Sequence, residues 1–159
     1  LFRSQEVFET FGSRFIYDIE LKIEGIRKTG LAQQVWQMIR HHHLESHVLV
    51  SSFNPFAIRR FNHACNSRIP TGTIYSEAQE VPRVLRSGWG RHIAHCTVMK
   101  PDVALVTAET MKKFHQRLGY PILAWTVDDP HVAREILQLG VEGLISNDPA
   151  KLQDLRIQR

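Results

Sequence analysis

Apolar positions along the chain follow two spacings that alternate with each other. Short runs in which most residues, or every second residue, are apolar predict strands, whereas apolar residues three or four positions apart predict helices. The predicted strands are 15–21, 47–53, 70–76, 91–99, 121–127 and 141–146. The predicted helices are 4–11, 31–43, 54–65, 107–119, 129–140 and one that begins at 148, and 77–87 is predicted to be a short helix or a loop. Ser4 is the predicted cap of the first helix. The helix 54–65 is predicted to have Asn54 as its cap, Pro55 at its first position, and Ile58 and Phe61 on its apolar face.

This order repeats a strand and a helix about six times. Strands that are joined through helices must pair in parallel, because each helix crosses over the sheet. No Gly-x-Gly-x-x-Gly segment follows a predicted strand, which disfavours a nucleotide-binding doubly wound sheet. The better fit is an α/β fold of the (β/α)8 TIM barrel type. A complete barrel of this type needs about 250 residues. We therefore predict a single domain over 1–159 that is a partial barrel of about six βα units, with two strands expected before Leu1.

Composition and charge narrow the class of protein without naming it. The net charge is +4, but the basic residues are scattered, so no nucleic-acid partner is expected. No apolar run reaches the length of about 18 residues that a membrane span needs, so a soluble protein is expected. The two cysteines, Cys65 and Cys96, show neither metal-binding spacing nor a disulfide framework, and we expect both to be buried. This usage fits a reducing compartment, and a cytoplasmic location is predicted.

The first predicted strand contains the segment IYDIELK, residues 16–22, in which charged and apolar side chains alternate. A period of two places Asp18, Glu20 and Lys22 on one face. In a barrel the apolar face belongs beneath the helices, so the charged face would point inward, where a charge is costly unless it is paired or bound to an ion. A solvent-facing charged stripe on an edge strand is the alternative interpretation.

Four segments carry a family resemblance in the same order along the chain. They are SQEVFETFG (4–12), IELK (19–22), SSFNPFAIRRF (51–61) and AWTVDDPHVAREILQLGVEGLISNDPAKL (124–152). They resemble, respectively, a helix, an E-x-K strand, an S-F segment and the closing W-T-V segment of the glycerophosphodiester phosphodiesterase family. The resemblance implies a (β/α)8 barrel that hydrolyses glycerophosphodiesters to glycerol 3-phosphate and an alcohol with a divalent metal ion, Ca²⁺ or Mg²⁺.

The resemblance also implies roles for individual residues. Glu20 resembles the metal-binding glutamate of the family, and Lys22 resembles its catalytic, phosphate-facing lysine. Trp125 resembles the aromatic residue that lines the glycerol side of the pocket, with Phe53 as a neighbouring wall. Lys100, at the end of a predicted strand, is a further candidate for contact with the substrate phosphate, the alternative being a solvated loop lysine.

Departures from the family pattern limit what this chain can do. The H-R-G segment and the E-x-D pair of the family are absent, and the resemblance places them before Leu1. The chain alone is therefore expected to be inactive, and a non-catalytic binding or assembly barrel of the same family is the alternative function. A third interpretation is an unrelated barrel that holds phosphate in the loops after its last two strands. The remaining departures are Asp128, where the family often has Asn, and Asn147, where it usually has Asp.

Two further expectations concern partners and histidines. The expected partner is a small glycerophosphodiester, and a homo-oligomer would cover the strand edges that a partial barrel exposes. The histidines of the segment 41–47 are expected to end a helix rather than to bind a metal. His92 and His95 are expected on opposite sides of a strand, which disfavours a catalytic pair.

Overall fold

A computed structural model describes residues 2–23, 25 and 29–155. The strands are β1 (Tyr17–Glu20), β2 (Val48–Ser52), β3 (Thr71–Tyr75), β4 (Val98–Pro101), β5 (Leu123–Trp125) and β6 (Gly143–Ile145). The helices are α1 (Phe2–Phe11), α2 (Leu31–His41), α3 (Pro55–Ala64), α4 (Arg91–Ala94), α5 (Ala108–Met111) and α6 (Pro130–Gln138). A π-helical segment, Lys112–Arg117, continues α5. Single 3-10 turns lie at Gly12–Arg14, Arg83–Leu85, Val103–Leu105 and Pro149–Leu152.

The chain divides into two compact units. The first consists of Leu1–Thr73 and Trp89–Cys96, and the second of Ile74–Gly88 and Thr97–Arg159. The boundary between Thr73 and Ile74 falls within β3. This division does not test the single domain over 1–159, which stays a prediction.

In the first unit β2 lies between β1 and β3 and pairs in parallel with both. The register joins Glu20 of β1 to Ser51 of β2, and Val50 of β2 to Thr71 of β3. All residues of β2 are buried, as expected for a strand in a parallel sheet that is covered on both faces. The parallel pairing confirms the prediction that was made from the strand–helix alternation.

Helix α3 shows why the sequence folds as it does beside this sheet. The Asn54 side chain accepts a hydrogen bond from the backbone N–H of Phe56 (3.0 Å), and Pro55 occupies the first helical position. Both are favoured at helix starts, because the cap satisfies one free donor and proline has no N–H to satisfy. Ile58 and Phe61 then lie on the buried face of the helix. The predicted cap, start and apolar face are all confirmed.

In the second unit the strands follow one another in chain order. The N–H of Asp102, directly after β4, donates to the carbonyl of Tyr75 at the end of β3 (2.9 Å). Met99 of β4 bridges to Ile122 in parallel, and β5 pairs in parallel with β6. Helix α6 starts at Pro130 behind the cap Asp129, whose carboxylate accepts from the N–H of His131 (2.7 Å).

Two predictions about secondary structure are wrong. The predicted strand 91–99 is a short helix, α4, followed by β4, because His95 adopts a left-handed backbone conformation (φ 52°) that ends the helix. The apolar alternation of that segment resembled a strand, although only Val98 and Met99 of it belong to one. Ser4 is not a helix cap either, since α1 begins before it.

None of the helices in the described part of the chain has the length and apolarity that crossing a bilayer requires.

Asn62 of α3 joins several buried backbone and side-chain groups of the first unit. Its side-chain amide donates to the carbonyls of Ala94 (3.0 Å) and His95 (3.2 Å), at the end of α4. Its amide oxygen accepts from the hydroxyl of Thr71 in β3 (3.1 Å). Because buried polar groups need partners, one side chain here satisfies groups of a helix end and of a strand.

We expect Asn62→Ala to lower the free energy of unfolding by about 2 kcal/mol, because it leaves these buried groups without their partner. Urea unfolding at neutral pH measures the change. The exposed Gln37→Ala in α2 is the control and should change stability by less than about 0.5 kcal/mol. Equal effects of the two substitutions would show that the Asn62 hydrogen bonds contribute nothing specific.

Candidate active site

The two faces of β1 have different surroundings, as the alternation predicted. The ring of Tyr17 packs edge-on against Phe8 of α1, with ring centroids 4.9 Å apart. Leu21, directly after β1, is 2% exposed. The side chains of Asp18 and Glu20 point to the other face, and both are exposed. The apolar face of β1 therefore lies against a helix, and the charged face is open.

Hydrogen bonds connect the charged face of β1 and the residue after β1 to Ser51 of β2. The hydroxyl of Ser51 donates to the Asp18 carboxylate (2.9 Å), and the N–H of Leu21 donates to the carbonyl of Ser51 (2.7 Å). Lys22 follows one residue later and is exposed. Among the described residues, no side chain bonds to or forms an ion pair with Glu20 or Lys22. Both charges are therefore available to an external ion at the carboxyl end of β1, where parallel barrels place their active sites.

The described residues do not by themselves form a divalent metal centre. They contain no group of three or more His, Cys, Asp and Glu side chains close enough to hold an ion. Ca²⁺ takes about six to eight oxygen ligands, and Mg²⁺ requires near-octahedral coordination. Glu20 can supply one carboxylate, which is too few for such a site.

The structure places Phe53 directly after β2, the strand next to β1, and its side chain is half-buried. Phe53, Glu20 and Lys22 therefore all follow or end neighbouring strands of the first unit. The side chains of this part of the site come from strand ends, which the sequence pattern identified.

Trp125 and Lys100 both lie in the second unit. Trp125 ends β5, and its indole N–H donates to the backbone carbonyl of Lys100 in β4 (2.9 Å). Lys100 is 4% exposed, so the alternative of a solvated loop lysine is wrong. This bond brings the edge of the Trp125 indole into direct contact with the backbone of β4.

The two departures from the family pattern lie in contact with each other. The Asp128 carboxylate, in the loop after β5, accepts from the Asn147 side-chain amide (3.0 Å) and from the Asn147 N–H (2.8 Å), in the loop after β6. It also accepts from the Ser146 hydroxyl (2.8 Å). These bonds, that from the Asn147 side chain first, lower the pKa of Asp128. No sequence pattern predicted this pairing, because the two residues are far apart along the chain.

Both cysteines are buried and unpaired, as predicted. Burial raises the pKa of the Cys96 thiol, because a thiolate loses its hydration in an apolar environment. A protonated thiol is a weak nucleophile. Cys96 is therefore not a candidate for nucleophilic catalysis.

Comparison with solved structures gives the class of protein. A structure from Silicibacter pomeroyi superposes with a TM-score of 0.77 at 22% identity, covering 96% of this chain and 54% of that one. A phosphodiesterase from Oleispira antarctica, solved in complex with the product sn-glycerol-3-phosphate, gives a TM-score of 0.66 at 24% identity, covering 96% and 59%. These likenesses show the fold, which is α/β of the (β/α)8 barrel class, with six βα units in the described residues.

The sequence itself gives the family. The chain belongs to the Glycerophosphoryl diester phosphodiesterase family, which it matches over residues 5–151. A curated relative, the glycerophosphodiester phosphodiesterase of Caldanaerobacter subterraneus subsp. tengcongensis, is 26% identical over 151 residues. The match covers 94% of this chain and 59% of the relative, so the chain spans little more than half the length of the proteins it resembles.

We expect Asp128→Asn to lower the free energy of unfolding at pH 7, because a neutral amide accepts these three hydrogen bonds less strongly than a carboxylate. The native pKa of Asp128 is lowered, so the stabilisation is present above the unfolded pKa, about 4. It is lost as the pH falls through the native value, and the wild type and the variant should converge there. Urea unfolding at pH 7 and at a series of lower pH values measures both effects.

The matched control is Asp154→Asn, an exposed carboxylate near the end of the described chain. It should change stability little at either pH. A difference between Asp128→Asn and the wild type that does not depend on pH would contradict a charge-dependent bond.

Proposed function

We propose that this chain provides the phosphate- and glycerol-binding part of a phosphodiesterase that hydrolyses glycerophosphodiesters to glycerol 3-phosphate and an alcohol. The observation that carries the proposal is the open charged face of β1, with Glu20 and Lys22 at its carboxyl end, in a chain of the matching family. The complex of the Oleispira antarctica phosphodiesterase with sn-glycerol-3-phosphate supports the choice of product.

The proposed roles follow from the chemistry of each side chain. The Lys22 ammonium offsets the negative charge that builds up on the phosphoryl oxygens during hydrolysis. The indole of Trp125, in the second unit, offers an apolar face to glycerol carbons, and so does the ring of Phe53, in the first unit. Lys100 adds positive charge in the same unit as Trp125. Glu20 contributes one carboxylate ligand to a divalent cation, Ca²⁺ or Mg²⁺.

A binding or assembly barrel without catalysis is the second candidate function. Residues 1–159, taken by themselves, contain neither a His-Arg-Gly segment nor a Glu-x-Asp pair. Hydrolysis of a phosphodiester needs one group to activate water and another to protonate the leaving alcohol. We propose that residues 1–159 alone bind the product but do not turn over the substrate.

The loops after β5 and β6 do not support the third interpretation, a phosphate site at that position in an unrelated barrel. The family match contradicts the unrelated barrel. The Ser146 hydroxyl and both Asn147 donors bond to the Asp128 carboxylate, so the donors that would hold a phosphate are occupied. The carboxylate would in addition repel an anion.

The expected partner is a small-molecule substrate, and the expected environment is a reducing compartment. We propose a cytoplasmic location, which the two buried, unpaired cysteines support.

We predict that Lys22→Met weakens the binding of glycerol 3-phosphate to this chain about tenfold, because one ammonium contact to phosphate is lost. Isothermal titration calorimetry with glycerol 3-phosphate, with and without added Ca²⁺, measures the affinity. Lys112→Met, an exposed lysine of the helical segment after α5, is the charge-matched control and should bind like the wild type. Equal affinity of wild type and Lys22→Met would overturn the proposed role of Lys22.

The same preparations distinguish the two candidate functions. Glycerol 3-phosphate release from a series of glycerophosphodiesters, followed with added Ca²⁺ or Mg²⁺, should be undetectable for residues 1–159. Turnover by the wild type that Lys22→Met abolishes would support the enzyme and contradict the binding barrel.

We also propose that a second copy covers the open edge of β1. In the described residues β1 pairs with β2 on one side, and no strand pairs with the other side. Phe15 and Ile16, just before β1, are 55% and 80% exposed. Such edges associate with other chains. Size-exclusion chromatography with light scattering should show a dimer or larger species that Ile16→Lys weakens, and a stable monomer would overturn the proposal.

A further inference from the structure

Two side chains, one on the last residue of β2 and one two residues later, hold the backbone of the loop after β1. The hydroxyl of Ser52 donates to the carbonyl of Leu21 (2.6 Å). The side-chain amide of Asn54 donates to the carbonyls of Ile23 (3.1 Å) and Gly25 (2.6 Å). The N–H of Asn54 in turn donates to the Ser52 hydroxyl (3.0 Å), which connects the two. We refer to these two residues and their bonds as the Ser52–Asn54 bridge.

The bridge holds the chain on both sides of Lys22. The carbonyl before it, of Leu21, and the carbonyl after it, of Ile23, both accept from the bridge. Ser52 is 1% exposed, so water does not compete at that bond. The side chain of Lys22 is long and flexible, and its reach is defined only if its backbone is fixed. The bridge supplies that constraint at the point where the open charged face ends.

Asn54 is suited to this position because its side chain performs two tasks with different atoms. The amide oxygen caps α3 by accepting from the N–H of Phe56, and the amide nitrogen donates to the loop. Serine and aspartate cap helices as well as asparagine does, but neither carries an amide donor. The contacts to Ile23 and Gly25 can therefore be removed while the helix cap is kept.

We propose that Asn54, through the Ser52–Asn54 bridge, is a positioning residue that sets the place of Lys22 for phosphate binding. The proposal rests on the proposed function of Lys22. Asn54 acts on the backbone of the lysine rather than on the ligand. Its loss should therefore reduce affinity for the phosphate and loosen the loop, with the fold unchanged.

The test compares wild type with Asn54→Ser, which keeps a capping oxygen and adds no charge, and with Asn54→Asp, which also keeps the size of the side chain. Glycerol 3-phosphate affinity is measured by calorimetry, with Lys22→Met as reference. Limited trypsin digestion, followed by intact mass, reports cleavage after Lys22 independently of any ligand. Cleavage after Arg117, exposed in the second unit, is the internal control, and urea unfolding reports the fold.

We expect both Asn54 variants to unfold in a single cooperative urea transition like the wild type, to be cut after Lys22 at least fivefold faster, and to bind glycerol 3-phosphate about tenfold more weakly. Unchanged cleavage after Lys22 overturns the bridge, whatever the ligand does. Faster cleavage with unchanged affinity, while Lys22→Met loses affinity, overturns the positioning role and leaves a structural one. If Lys22→Met binds like the wild type, the proposed role of Lys22 is wrong, and the positioning role of Asn54 is wrong with it. Faster cleavage of the Asn54 variants after Lys22 would still show the bridge.

Discussion

Parallel pairing of β2 with its two neighbours is the constraint on which the rest of the first unit depends. β1, β2 and β3 run in the same direction, so their carboxyl ends all lie at the same edge of the sheet. β2 is buried throughout, so its register with β1 is fixed by core packing. That register brings Ser51 to Asp18, and it leaves the charged ends of β1 on the open face. The candidate site follows from strand direction and burial.

Loops at these strand ends are bonded to residues at or after the end of a neighbouring strand. In the first unit, Ser52 and Asn54 bond to carbonyls of the loop after β1. In the second unit, Asp128 after β5 accepts from two residues that follow β6. Backbone groups in a loop have no partners from the strand ladder, so side chains of the adjacent loop satisfy them. In each unit such bonds join the loop that follows one strand to residues at or after the end of the neighbouring strand.

Regular periodicity in the sequence was sufficient to predict the alternation of strands and helices, the Asn54 cap and the two faces of β1. It failed at 91–99, where a single left-handed residue, His95, separates a helix from a strand that periodicity alone joins together. The contacts of the Asn54 amide, the burial of Lys100 and the pairing of Asp128 with Asn147 could not be predicted. They depend on which loops and strands are neighbours in space, and side-chain spacing along one segment contains no information about that.

The contact between Asp128 and Asn147 makes these two positions interdependent in evolution. If Asn147 alone is replaced by aspartate, two carboxylates face and repel each other. If Asp128 alone is replaced by asparagine, two neutral amides face each other and the charge-assisted hydrogen bonds are lost. Exchange of both restores one carboxylate and one amide with the roles reversed. Effects at residues in such contact are not additive. Natural variants of this chain should therefore differ from one another at both positions or at neither, and correlated substitution there records a hydrogen bond rather than a change of substrate.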